Sequence, residues 1–368
     1  MLRTFQFRLK PNAAQATMLT RILADNAETY NACLEERIGA WRLARKSITY
    51  RDQQNELTEL RRDERFRWMA CDIQRDPLRR VDRAFKAFFR RCKTGKKPGF
   101  PRFRARACYD SFSFSLPVCR ERSIKIPNVA DIRARGGRPI QGKPKLCTVK
   151  RDGKRWTANV VCDIGEAPEK VAVSRAVGID VGLANFVTLS DGQSIDNPRW
   201  TRKHEARIAA ANRALARKQR RSKNRIAARG VLRRAHQRAS DARKNFCHHA
   251  SKWLVFNYDL IAFEKLNIKG MVRSNLAKSI LDAAWAQLLY QISYKAEKAG
   301  RYAIAVNPRG TSIRCSACGV DVRKTLADRR HICECGANLD RDHNAAINIK
   351  ALGISAAGAS LQNMYSCI

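Results

Sequence analysis

Cys315, Cys318, Cys333 and Cys335 form a CxxCG unit and a CxCG unit separated by fourteen residues. Thiolate pairs on tight glycine turns are the donor set of a tetrahedral structural zinc, in a segment too small to bury a core of its own. The short second pair leaves His331 and His343 open as a fourth ligand. A redox dithiol is the competing chemistry, weakened by the lack of a thioredoxin-like surround. Four bound thiolates leave no open position on the ion, so such a metal would hold the loop and take no part in a reaction.

Chemistry then falls to the carboxylates. Asp180 lies in the apolar run "AVGIDVG", Glu264 closes "LIAFE", and Asp342 opens the helix-like "DHNAAINIKAL". Taken singly they read as a turn aspartate, a strand-end glutamate and a helix N-cap. Taken together, two acids at strand positions and one at a helix entrance could bind two magnesium ions about 4 Å apart, which activate water against a phosphodiester. On spacing alone Asp340 competes with Asp342.

The charge names the partner. Lys plus Arg number 73 against 33 Asp plus Glu, a formal +40 at pH 7, and such a surface repels itself unless a polyanion neutralises it. The basic candidates are Arg79, Arg80 and Arg83 on one helix face, and Lys96, Lys97 and Arg102 in the aromatic-studded loop "KTGKKPGFPRFRAR". Arg217, Arg220 and Arg221 belong to a stretch (201–250) with almost no compensating acids. Like charges at helical spacing destabilise a helix, and an anionic partner relieves them. No apolar run reaches about 18 residues and no leader pattern opens the chain, so a soluble cytoplasmic protein is expected. Thirteen cysteines, nine of them scattered singly, fit reduced, buried or half-buried thiols.

The elements that must position these groups read as follows. Residues 2–9 alternate as a half-buried strand, then helical spacing runs from about residue 12. A second helix covers roughly 52–70, and a third opens at Asp76-Pro77 with Leu78, Val81, Phe85, Phe88, Phe89 and Cys92 on its core face. "SFSFSL", "SIKIP" and the hairpin "KLCTVKRDGKRWTANVVCDI" follow, so the first strand finds its partners only after a helical block. Further on, "AVGIDVGLANFVTLSDG" reads as two strands turned at Gly182. "YDLIAFEKLN" and "RYAIAVNP" flank an amphipathic helix, which indicates an α/β sheet. The Ala/Ser-rich segment after Leu352 reads as unstructured.

"GIDVGLANFVTLSDG", "LIAFEKLN", "TSIRCSACG" with "CECG", "LDRDHNAAINI", "KKPGFPRFRAR" and the opening "FQFRLKPNAAQ" together resemble the TnpB family of insertion-sequence nucleases, relatives of compact type V CRISPR effectors. The resemblance implies a multidomain α+β and α/β chain. A wedge-type β-barrel (1–10 and 99–165) would be interrupted by a helical recognition domain (11–98). A RuvC-like, ribonuclease-H-like nuclease domain (170–310 and 338–352) would be interrupted by a zinc ribbon (311–337), with a disordered tail at 353–368. It implies that Asp180, Glu264 and Asp342 bind two Mg2+, preferring Asp342 to Asp340, and that a structural Zn2+ sits on the four cysteines. The implied activity is RNA-guided DNA cleavage beside a short flanking motif, with a guide RNA from the element's end, double-stranded DNA as target and the prokaryotic nucleoid as place of work. The alternative is a guide-dependent repressor or transposition accessory protein that binds without cutting. The CxCG spacing departs from the family pattern.

Overall fold

Phe5 and Leu9 are buried while the residues between them alternate outward, so the first segment is a strand, β1 (Leu2–Leu9). The computed structural model describes residues 1–136, 139–273, 275–325 and 328–365, with the backbone alone at 65, 269 and 359–365. The chain divides into two compact units, Met1–Glu166 and Ala167–Ile368.

In the first unit, Asn12 and Gln15 cap each other's backbone N–H groups and start α1 (Ala13–Ala44), whose buried face carries Leu19, Ile22, Tyr30 and Leu34. A Thr49/Asp52 box starts α2 (Tyr50–Leu60). This helix is shorter than the 52–70 expected. Next, α3 (Cys71–Lys93) begins a turn and a half before the expected Asp76-Pro77 start, with Pro77 inside it. Tertiary contacts hold the early turn: Ile73 is fully buried, Gln74 donates to the Phe66 carbonyl at 2.7 Å, and Asp72 accepts from Ser115 and Arg79. The core face is buried only at Leu78 and Val81. Further out, Phe88 stacks edge-on with Phe89 and Phe100, centroids 5.2 Å apart, and Phe89 and Cys92 are exposed. Cys108 is exposed too, against the expectation of burial.

Five strands follow: β2 (Ser111–Ser115), β3 (Ser123–Ile126), β4 (Ala130–Arg135), β5 (Lys143–Asp152) and β6 (Arg155–Asp163). The tight turn between β5 and β6 places Gly153 at φ +64°. They form one sheet in the order β2-β5-β6-β1-β4-β3, with β1 paired to β6 over its whole length and to β4 at its end. All three helices are thus inserted between the first strand and its partners. The expected barrel is an open sheet, because β2 and β3 are its two edges and do not pair with each other.

The second unit is built on a five-stranded sheet in the order β11-β10-β7-β8-β9. Its elements are β7 (Ala176–Asp180), β8 (Asn185–Leu189), β9 (Ser194–Asp196), α4 (Trp200–Ala216), α5 (Lys223–Asn257), β10 (Leu260–Glu264), α6 (Ile268–Met271), α7 (Ala277–Ala283), α8 (Trp285–Lys298), β11 (Tyr302–Val306), β12 (Arg330–Ile332), β13 (Asn338–Asp340) and α9 (Arg341–Tyr365). Strands β7, β10 and β11 are parallel, while β8 runs antiparallel to β7. Side chains on one sheet face, Val177, Ile179, Ile261 and Phe263, share a core with α5 and α8. On the other face Leu260, Ala262 and Val306 pack against Ile349 and Ala357 of α9.

The amphipathic helix expected between "YDLIAFEKLN" and "RYAIAVNP" is broken at Ala284, which adopts φ +56° between α7 and α8. The segment expected to be a disordered tail continues α9 to Tyr365. Alanine is the best helix former, and both Gly353 and Ala357 pack on β10. Residues 366–368 of that expectation lie outside the described residues.

Candidate active site and cysteine cluster

Strand register brings the first two acids together. β7 and β10 pair with Ile179 opposite Phe263, so Asp180 and Glu264 are the next residues of neighbouring parallel strands. Alternation puts Asp180 on the same face as Gly178, and Glu264 on the same face as Ala262. That face is covered by α9. A β-carbon on Gly178 would run into the Ala346 carbonyl, and one on Gly353 would run into the side chain of Ala262. Asp342 precedes Ala346 by about one helical turn, roughly 6 Å, and Asp180 follows Gly178 by two strand residues, roughly 6.6 Å. The third acid therefore arrives beside Asp180, and Asp342 Oδ2 lies 3.7 Å from where a side chain on Gly182 would begin.

The electrostatics agree with that placement. Burial, then Glu264, then Asp342 push the Asp180 carboxyl well above the ordinary range. Burial raises Glu264 while a hydrogen bond from Thr311 opposes it, and burial with Asp340 raises Asp342 against Arg329 and Arg341. Asp340 and Asp342 differ in what engages them. Exposed Asp340 accepts from the backbone N–H of Asp342 (2.9 Å) and of His343 (3.2 Å), which occupies it as the N-cap of α9 and leaves Asp342 half-buried toward the other acids. Oxygen donors alone, mutually repelling and partly desolvated, fit a hard divalent cation.

The four cysteine sulfurs lie within 4.8 Å of one another, with Cys315–Cys335 at 3.7 Å and Cys318–Cys333 at 3.6 Å. Gly319 and Gly336, at φ +81° and +91°, turn the chain after each pair. The backbone N–H of Cys318 leads the groups that pull the Cys315 thiol down to about 5 against burial, with Ala317, His331 and Cys335 assisting. Neither histidine joins the cluster. His331 is buried behind Cys315 with Nδ1 against Lys324 Nζ, and a His343 ring nitrogen lies 3.4 Å from the Ser190 carbonyl. The CxCG unit thus completes a four-sulfur set without them.

Of the basic candidates, two turn inward. Arg79 pairs with Asp72 at 2.5 Å. Arg80 pairs with buried Asp76 at 2.8 Å and lies over the Tyr109 ring. Both are engaged by carboxylates within the protein. Arg83, Lys96, Lys97 and Arg102 are exposed. So are Arg217, Arg220 and Arg221, which belong not to one long helix but to the turn joining α4 and α5, a hairpin closed over Ala211 and Ala235.

Three residues with no marked signal in the sequence complete the neighbourhood: Thr311, Asn344 and Asn348. Thr311 Oγ1 contacts Glu264 Oε1 at 2.5 Å. Asn344 and Asn348 bond the backbone around Arg314. The asparagines stand at i and i+4 after an acid, a spacing that marks one helix face, but what they would grip was not readable.

An α/β unit with converging acids and an inserted four-cysteine knuckle is the class of protein defined so far. Three family models match this chain. One described as OrfB_IS605, "Probable transposase", covers residues 159–275; a Cas12f1-like TNB domain covers 285–349; and a helix-turn-helix domain covers 1–46, here β1 and one continuous helix. The chain is 34% identical to a "Putative RNA-guided DNA endonuclease" of Streptomyces pristinaespiralis, over 96% of this chain and 90% of that one. It is 27% identical to "Putative RNA-guided DNA endonuclease InsQ" of Escherichia coli, over 98% and 95%. In fold it is similar to the protein of a Cas12f1-sgRNA-target DNA complex, with TM-score 0.60, 15% identity and coverage of 92% and 82%. The chain belongs to the TnpB family of transposon-encoded proteins.

Proposed function

We propose that this chain is the RNA-guided DNA endonuclease of a transposable element, cutting double-stranded DNA beside a short flanking motif. One observation supports the reading: α9 packs on Gly178 and Ala262 in a register that brings Asp342 beside Asp180, whose neighbour on the adjoining strand is Glu264. Asp180, Glu264 and Asp342 would hold two Mg2+. When bound, the pair supplies an activated water and stabilises the leaving 3' oxygen. The protein's own part is to converge three carboxylates, keep them partly dry, and hold the third on a helix that cannot slide.

In this reading the open six-stranded sheet is the wedge-type domain and α1–α3 the recognition block. The five-stranded sheet with α9 is the RuvC-like nuclease, and residues 311–337 form a zinc ribbon whose Zn2+ sits on the four cysteines. Base pairing with a guide RNA from the element's end would read the target in the prokaryotic cytoplasm, while exposed cations such as Lys96, Arg102 and Arg217 hold phosphates. A non-cutting, guide-dependent repressor is the rival, and a missing acid would favour it; all three are present.

The test is Asp180→Ala purified with its copurifying RNA. It should retain the RNA and bind matched DNA while cleaving nothing. Normal cleavage by this variant refutes the acid assignment, and random cellular RNA in place of one defined species refutes the guide.

A further inference from the structure

Glu264 reaches the site on a flexible side chain, so something must fix its orientation. We propose that Thr311 is a positioning residue for Glu264 and couples that carboxylate to the cysteine knuckle. The inference rests on the acid-site reading above.

Thr311 is 3% exposed, and its hydroxyl faces two acceptors, Glu264 Oε1 at 2.5 Å and the Pro308 carbonyl at 3.0 Å. A hydroxyl has one proton to give, and an ionised carboxylate takes it in preference to a neutral carbonyl. A metal-binding Glu264 is ionised, so Thr311 then donates to it and leaves its second oxygen for the cation.

Thr311 is itself immobilised from α9. Asn348 Nδ2 donates to the carbonyls of Thr311 (2.9 Å) and Arg314 (2.7 Å), using both of its protons. Asn344, fully buried, donates to the Arg314 carbonyl at 2.8 Å and accepts from the Ser316 N–H at 2.9 Å. Those contacts bracket Cys315, the first thiol of the cluster. Glu264, Thr311, the knuckle and the helix bearing Asp342 therefore form one hydrogen-bonded frame. The knuckle orients the acid and does more than staple a loop.

Thr311→Val keeps the shape and branching of the side chain and removes the donor; Thr311→Ser keeps the donor. The full chain with its RNA would be titrated with Mn2+, reading free Mn2+ by electron paramagnetic resonance. Zinc content and the Mg2+ dependence of cleavage would be measured alongside. Loss of a partner that orients a metal ligand weakens metal binding about 10- to 100-fold. Thr311→Val should therefore bind Mn2+ about tenfold or more weaker and need correspondingly more Mg2+, with one zinc per chain retained and Thr311→Ser restoring both. Parental Mn2+ and Mg2+ dependence in Thr311→Val overturns the proposal, as does loss of its zinc, which would make Thr311 a folding residue only. Asp180→Asn separates the two levels: if it binds Mn2+ like the parent, the acid site itself is wrong. If it loses Mn2+ while Thr311→Val does not, only the role of Thr311 falls.

Discussion

Gly178 lies so close beneath Ala346 that a β-carbon there would stand far inside contact distance of the Ala346 carbonyl and 2.9 Å from Lys350 Cα. Both obstacles are helix backbone and cannot swing aside. Gly178→Ala should lift α9 off β7, cost about 1–3 kcal/mol or more of stability, and abolish cleavage by withdrawing Asp342. A thermal melt and a cleavage assay check this; a variant that melts and cuts like the parent refutes the packing.

Gly230 is the contrasting case. It sits within α5, where the nearest obstacle to a methyl group is the end of the Arg234 side chain at 3.5 Å. Gly230→Ala should stabilise by about 0.5–1 kcal/mol, read as a rise in the midpoint of chemical unfolding with cleavage unchanged.

Asp180→Asn should silence the nuclease and stabilise it at once. The folded carboxyl titrates well above its unfolded value, so the folded state binds more protons between those two points and loses stability as pH rises through that window. Asparagine removes the repulsion with Glu264 and Asp342. In metal-free buffer at neutral pH the variant should melt higher than the parent, and the gain should shrink as pH falls toward the ordinary carboxylate range. A gain that grows at low pH contradicts the sign.

Cys318→Ser, or stripping zinc with a chelator, should free the frame that runs through Arg314 and Ser316. Protease cleavage within 311–340 should accelerate and DNA cutting should fall, with guide RNA still bound. Unchanged protection without zinc would show that the knuckle folds without its metal.

Two arginine variants should part company. Arg80→Ala removes the ion-pair partner of buried Asp76 and should cost about 3–5 kcal/mol. Replacing Arg217, Arg220 and Arg221 together by alanine should leave the melt unchanged and flatten the salt dependence of nucleic-acid binding, by up to about 0.7–0.9 per lost phosphate contact.

The adjacency of Asp180 and Glu264 was legible because ionisable residues in apolar strands stand out and parallel register, which two short hydrophobic runs announce, sets them side by side. The inserted helices were legible from the unpartnered first strand. Thr311 was not, because a threonine before a cysteine pair has no periodic or compositional signal, and its partner lies 47 residues away in sequence. The internal Pro77 and the left-handed Ala284 break local propensity, and only tertiary packing accounts for them. The helix beyond Leu352 was missed because an Ala/Ser composition looks alike whether it is solvated or laid against a strand.

The order of the chain has a temporal meaning as well. Asp180 and Glu264 emerge from the ribosome with their strands, but Asp342 follows only after the cysteine knuckle has been made, on a helix that must still dock across both strands. If the three acids act together as proposed, a half-translated chain would be chemically inert, and the ability to break DNA would switch on late in synthesis.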